Sequence, residues 1–221
     1  ALACSMEDTS MANILGISGS PRRGGNSDVL VQNILAGAAE SGATTQPLAL
    51  RDVQFSSCVG CERCRKDKAC TRFIDGMNVV YPQIEAATGL VLVSPAHNYN
   101  ITALMKAFID RLYCYYDVTD DRPRGYSSRL ASQGRQAVVV GIGEQPEHEN
   151  AMGMTIEMQT KPLEALGYTI VDSLAVYAIF DAGAVKQYEQ TLDKAREMGR
   201  SLSQQLGVYI HPPASGSMGK T

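Results

Sequence analysis

Short apolar runs alternate with segments of helical periodicity along most of the chain, the pattern of a parallel α/β sheet. Residues 14–17 read as a first strand buried on both faces, because apolar positions follow one another without polar alternation. Ser27 can cap a helix running to about residue 41, with Leu30, Val31, Ile34, Leu35 and Ala38 at helical spacing and Gly42 in the stop position. Residues 44–50 make a weaker second strand, since Pro47 interrupts it. Residues 90–93 form a third strand. An amphipathic helix over 101–112 follows, carrying Ile101, Leu104, Met105, Phe108, Ile109 and Leu112. A fourth strand at 137–140, a helix near 155–166 and a fifth strand within 169–176 continue the alternation. The final helix carries Val185, Tyr188, Leu192, Ala195, Gly199, Leu202 and Leu206 at steps of three and four. Pro82 conflicts with a continuous helix over 76–87, so two short helical pieces are expected, with Pro82 opening the second.

Five strands with helices between them, in one domain over 12–210 without internal repeats, define an α/β doubly wound sheet. The flavodoxin-like order 2-1-3-4-5 is a common solution at this size. Ligands in such sheets sit at the carboxyl ends of the strands, which directs attention to the loops after strands one, three and four.

Composition narrows the function classes. Twenty Lys+Arg against 23 Asp+Glu give a net charge of −3, which offers no global electrostatic case for nucleic acid or an anionic membrane as partner. No apolar run reaches the roughly 18 residues of a spanning helix. Residues 1–11 lack a basic start followed by an apolar run, so a reducing cytoplasm is the expected compartment. Met11 is expected as the natural start, preceded by an extension. The Pro-, Gly- and Ser-rich segment 211–221 is expected to be a flexible tail.

The loop after the first strand, GISGSPRRGGNS, presents backbone N–H groups and hydroxyls before a helix start, a combination suited to a phosphate. It is not a P-loop, because Gly24 is followed by Gly25 and Asn26 rather than Lys. It is not the G-x-G-x-x-G dinucleotide loop either, since Gly16 and Gly19 are three apart. The candidates for a phosphate are Ser18, Ser20, Arg22, Asn26 and Ser27. The remaining outlier is a cluster of cysteines, Cys58-x2-Cys61-x2-Cys64-x5-Cys70, between the second strand and the next helix. Four thiolates so closely spaced can wrap one cubane, with Gly60 giving the loop freedom to turn. The ferredoxin run has a different last gap and a following proline. Zinc sites pair two C-x2-C halves across a longer gap, so three cysteines within seven residues suit zinc poorly. Disulfides are disfavoured by the expected compartment.

GSPRRGGNSDVL, together with SPAHNYNITALMKAFIDRL at 94–112, resembles the NADPH-dependent FMN reductase and iron–sulfur flavoprotein group over most of residues 12–206. The resemblance implies that the first loop holds the FMN phosphate. It also implies that Pro95, Ala96, His97, Asn98, Tyr99 and Asn100 line the isoalloxazine ring, with backbone N–H donors stabilising the reduced flavin. His97 is expected to pack or hydrogen-bond rather than to donate a proton. The x5 spacing matches the compact motif of the iron–sulfur flavoproteins, implying a 4Fe–4S cluster on Cys58, Cys61, Cys64 and Cys70 within a loop at 55–72. Some flavin reductases of the group keep a few such cysteines without a cluster, so that alternative stays open. Cys114 is expected to be a packed thiol, and His148 a solvated surface group.

Cluster and flavin on one chain imply an oxidoreductase that converts between one- and two-electron chemistry. The resemblance further implies a ferredoxin-like electron donor and a homodimer or homotetramer. Arg63, Arg65, Lys66, Lys68 and Arg72 around the motif are candidates for steering an acidic partner or offsetting cluster charge, unless they are simply solvated. Two alternatives remain. One is an NAD(P)H-dependent FMN reductase of quinones, azo dyes or metal ions without a cluster; the other is a redox sensor or electron shuttle without a dedicated substrate.

Overall fold

The computed structural model describes residues 12–210. Cys4, Met11 and the expected tail at 211–221 lie outside the described residues. Five strands, β1 (Asn13–Ser18), β2 (Thr44–Ala49), β3 (Gly89–Pro95), β6 (Gln136–Ile142) and β7 (Thr169–Val176), pair in parallel in the order β2-β1-β3-β6-β7. With the separate antiparallel hairpin β4 (Tyr116–Val118) and β5 (Tyr126–Ser128) set aside, this is the expected 2-1-3-4-5 order. The helices are α1 (Asn26–Glu40), α2 (Arg63–Asp67), α3 (Met77–Ala86), α4 (Ala103–Arg111), α5 (Glu157–Ala165) and α6 (Glu189–Ile210).

Continuous apolar runs in the central strands feed two cores, because successive side chains point to opposite faces. Ile14, Val91, Val93, Val138 and Val140 pack with Leu30, Ile34, Ala195, Met198 and Leu202 of α1 and α6. Leu15, Ile17, Leu90, Leu92 and Val139 pack with Met77 and Ile84 of α3, Met105 and Phe108 of α4, and Leu163 of α5. Each fully buried large aliphatic side chain contributes about 1.5–3 kcal/mol against the entropy of ordering the chain. Helices α1 and α6 touch backbone to backbone. A Cβ on Gly37 would stand 1.9 Å from the Arg196 carbonyl oxygen, and one on Gly199 would stand 1.8 Å from that of Ile34.

Several sequence expectations are corrected. Residues 77–86 form one helix with Pro82 inside it, not two pieces. The carbonyl of Asn78 loses its helical donor there, but Asn78 and Pro82 both lie on the exposed face, where water can take the bond. Ser27 is not the cap of α1; Gly25 is, and Ser27 stands inside the first turn. The fourth helix begins at Ala103 because Thr102 Oγ1 accepts the Met105 N–H at 3.1 Å. Val185 and Tyr188 precede the last helix, Val185 in a short 3₁₀ turn over Ala184–Gln187. Pro47 is tolerated because β2 is an edge strand. The β4–β5 hairpin carries no apolar alternation strong enough to predict it. Among the described residues no helix is long and apolar enough to cross a membrane.

Candidate functional site

Two cavities lie at the carboxyl end of the sheet or beside it. The first is a cleft of about 110 Å³ between the loops after β1, β3, β6 and β7. Just before its first lining residue, the chain leaving β1 is fixed: Gly19 N–H donates to the Val93 carbonyl at 2.8 Å and Thr102 Oγ1 donates to the Gly19 carbonyl at 2.7 Å. Ser20, Arg22, Asn26 and Ser27 line one wall, with Pro95, Ala96 and His97 opposite. The Ser27 hydroxyl is buried and has no hydrogen-bond partner, although it stands in the first turn of a 15-residue helix whose leading N–H groups are unpaired. An anion at that helix end would satisfy both.

The other expected phosphate residues make bonds within the chain. Ser18 does not line the cleft; its hydroxyl donates to Asp28 Oδ1 at 2.7 Å. Asn26 Nδ2 donates to the Asp181 carbonyl and its Oδ1 accepts the Val185 N–H, which ties the loop after β7 to the loop after β1. Arg22 donates to the Phe180 carbonyl at 2.9 Å and its Cζ lies 4.4 Å from the Phe180 ring centroid. Ser20 Oγ accepts the Arg22 N–H at 3.1 Å.

After β3 the chain makes a tight turn. His97 N–H donates to the Asn100 carbonyl at 2.7 Å, and Asn98 and Tyr99 between them have φ of 49° and 64°. Two consecutive left-handed residues make a type I′ turn, here built without glycine, so it stores backbone strain. The structure does not bring all of 95–100 together on the cleft. Pro95, Ala96 and His97 line it, whereas Asn98, Tyr99 and Asn100 form the turn outside, Tyr99 being 65% exposed. Gly153 supports that turn from below: a Cβ there would stand 2.2 Å from the Tyr99 carbonyl oxygen, to which Met154 N–H donates. Ile142 at the end of β6 and Glu144 in the loop after it also line the cleft, and His148 is exposed, as expected. Sequence reasoning missed Ile179, Phe180 and Ala182; their only signal is position after the last strand.

The second cavity, of about 420 Å³, is lined by Cys58, Cys61, Cys64 and Cys70 and by the buried Cys114. Cys58 and Cys61 are exposed, Cys64 and Cys70 half-buried, and Gly60 N–H donates to Cys58 Sγ at 3.5 Å. Burial, then the fields of Cys70, Cys58 and Cys61, push the Cys64 thiol above its ordinary pKa. Cys114 is pushed up to about 12, first by burial and then by Cys64 and Cys70. Among the described residues no three Cys, His, Asp or Glu side chains converge closely enough to hold a single metal ion.

The cysteine loop is held from two sides. The hairpin clasps its outer part: Arg124 pairs with Glu62 at 2.8 Å, Asp120 with Arg65 at 2.6 Å, and Asp117 with Lys68. Hydrogen bonds from Arg124 and Arg65 hold the Glu62 carboxyl below its usual range. At the neck, Asp75 accepts from Ser56 N–H at 3.1 Å and from Arg111 at 2.7 Å. Two of the five basic residues around the motif, Arg65 and Lys68, are thus engaged within the chain. Arg63, Lys66 and Arg72 have no ion pair among the described residues.

A doubly wound sheet with an anion-receptive helix end and a strained turn at its carboxyl edge defines a flavodoxin-like protein. Residues 12–166 match the family described as NADPH-dependent FMN reductase, and the chain belongs to that family. It is similar to an iron-sulfur flavoprotein of Methanocaldococcus jannaschii, 30% identical over 139 residues, 63% of this chain and 67% of that protein. One from Methanosarcina thermophila is 34% identical over 98 residues, covering 44% of this chain and about half, 51%, of the relative. Another from Archaeoglobus fulgidus is 25% identical over 190 residues, 86% of this chain and 78% of the relative. Among solved structures, an NAD(P)H:quinone oxidoreductase from Methanothermobacter marburgensis superposes with a TM-score of 0.66 at 22% identity, over 87% of this chain and 100% of the other. An FMN-dependent NADH-azoreductase from Bacillus anthracis gives 0.60 at 18%, again over 87% and 100%. At such identities the structural likeness establishes the fold alone.

Proposed function

We propose that this chain binds FMN in the cleft, holds a 4Fe–4S cluster on Cys58, Cys61, Cys64 and Cys70, and passes electrons from a ferredoxin-like donor to an acceptor. The observation that carries the cluster is the second cavity, one space lined by all four motif cysteines. In a cubane each thiolate meets a different iron, so four cysteines spread around one space suit it. The names of the relatives support the same assignment. For FMN, the unpartnered Ser27 hydroxyl and the leading N–H groups of α1 suit the phosphate, and Ala96 and His97 suit the ring.

When bound, the cluster supplies single electrons and FMN couples two of them to a two-electron, two-proton reduction of an acceptor. The chain itself binds, orients and excludes water; no side chain needs to act as nucleophile. Arg22 and Phe180, both exposed and lining the cleft, would stand beside a flavin bound there. Arg63, Lys66 and Arg72 remain available to an acidic donor protein. We expect a homodimer or homotetramer, which light scattering of the purified protein reads directly.

Anaerobic purification with iron, acid-labile sulfide and flavin quantitation tests the reading. Equal iron and sulfide, fourfold over FMN, is the expected result; zinc or no metal overturns the cluster. A second reading, NADPH as the donor to FMN with empty cysteines, is favoured by the family match. Bleaching of the flavin by NADPH but not by reduced ferredoxin selects it.

A further inference from the structure

Arg111, the last residue of α4, lines the cysteine cavity with a side chain only 1% exposed. Four of the five N–H groups of its guanidinium have fixed acceptors. Nη1 donates to the Ser56 carbonyl and to Asp75 Oδ2, both at 2.7 Å, Nη2 to Asp75 Oδ1 at 3.2 Å, and Nε to the Tyr81 hydroxyl at 3.2 Å. The Phe73 ring lies 5.1 Å from its Cζ. Ser56 and Asp75 are the two ends of the segment that carries all four motif cysteines. The Gly76 N–H adds a bond to the Gln54 carbonyl across the same neck. One side chain therefore joins the start of the loop, its end and the wall of the cavity.

Burying an arginine costs several kcal/mol unless it is paired, and Asp75 provides that pairing. Asp75 itself does not line the cavity. The acidic groups that do are already engaged, Glu62 by Arg124 and Arg65, and Asp110 by Lys106 at 2.5 Å. Arg63, Arg72 and Arg111 line the same space. Of these only Arg111 is held rigidly and away from solvent, where a charge acts through a low dielectric and is screened little by salt. An arginine in such a place stays charged under all ordinary conditions.

We propose that Arg111 is the positioning residue and fixed counter-charge of the redox centre in the cysteine cavity. Its bond to Asp75 and Ser56 closes the neck of the cysteine loop, and its guanidinium favours the more negative, reduced state of the group the thiolates hold. The proposal rests on the reading that those thiolates hold an iron–sulfur cluster. Net charge and hydrogen bonding around a cluster set its reduction potential, so a buried positive charge in the wall raises it.

The test compares Arg111→Lys, Arg111→Gln and the double variant Asp75→Asn/Arg111→Gln, the last removing both members of the pair so that no buried carboxylate is stranded. Each anaerobically purified protein is assayed for iron, sulfide and FMN, and the midpoint potential of its iron chromophore is measured by reductive titration. The expected result is a lower potential in both Gln variants, a wild-type-like potential in Arg111→Lys, and unchanged FMN content throughout. Loss of iron from the Gln variants but not from Arg111→Lys supports the same conclusion. A potential unchanged or raised in the Gln variants overturns the proposal while leaving the cluster reading intact. Loss of iron from Arg111→Lys as well overturns the counter-charge role, because lysine keeps the charge and loses only the planar fork. A wild-type protein without iron removes the cluster reading, and this inference with it.

Discussion

Asp28, in the first turn of α1, receives both terminal nitrogens of Arg51, at 2.9 and 2.8 Å, from the turn that follows β2. The same carboxylate accepts the Ser18 hydroxyl and the Gly24 N–H, while Arg51 also donates to the Ser20 carbonyl at 3.3 Å. The loop before α1 is therefore wrapped around a pair that is nearly buried, and it is shaped before any anion arrives.

Asp28→Asn is expected to destabilise the protein by about 1–3 kcal/mol, the range for losing a charged hydrogen-bond partner in a half-buried network. It should weaken FMN more than riboflavin, because the loop it shapes is the proposed phosphate site. Titration calorimetry with both ligands checks this, and equal losses would place Asp28 outside the phosphate site.

The pair also predicts acid sensitivity. Burial would raise the Asp28 carboxyl, but hydrogen bonds from Arg51, Ser18 and Gly24 outweigh it and hold the group below 3.8. A depressed folded value means that the unfolded chain binds the extra proton first. The stabilisation is present above the unfolded value and lost as pH falls through the folded one. Urea melts across roughly pH 5 to 2.5 should show a shallower acid slope in Asp28→Asn than in the parent.

Cys61→Ala is expected to remove the absorption of the proposed iron–sulfur cluster and leave FMN bound, because the cysteine cavity and the proposed flavin cleft have no lining residue in common. Visible spectra with flavin quantitation read both at once. Concomitant loss of FMN would show that the cavities are structurally coupled.

In metal-free protein at pH 8, iodoacetamide should modify the exposed Cys58 and Cys61 readily and spare Cys114, whose thiol is buried and pushed up to about 12. Peptide mass mapping before and after denaturation distinguishes the groups, with Cys114 labelled only after unfolding.

Gly199→Ala is expected to cost about 3 kcal/mol, because its Cβ would collide with the Ile34 backbone and push α6 away from α1. A fall in the urea midpoint with FMN affinity per folded molecule unchanged is the signature of a packing defect remote from both cavities.

The sheet was legible because its causes are local. Uninterrupted apolar runs such as Ile14 to Ile17 and Ala137 to Val140 demand burial on both faces, and helical spacing between them demands crossovers. The cysteine motif and the Gly-Ser loop were legible for the same reason, since their chemistry lies in short spacings. Pro82, Ser27 and Val185 were misplaced because helix ends depend on which face meets water and which neighbour supplies a bond.

What only the tertiary structure decided involves partners far apart in the chain. Asp28 meets Arg51, Arg22 meets Phe180, Arg111 closes Ser56 onto Asp75, and the hairpin clasps the cysteine loop. None of these has a sequence signal, because a contact across tens or more than a hundred residues leaves no periodicity behind. Residue order along the chain thus determined the sheet, its cleft edge and the short spacings of the Gly-Ser loop and the cysteine motif. Packing decided which candidates face a cavity, which brace it from behind, and which charge is carried into its wall.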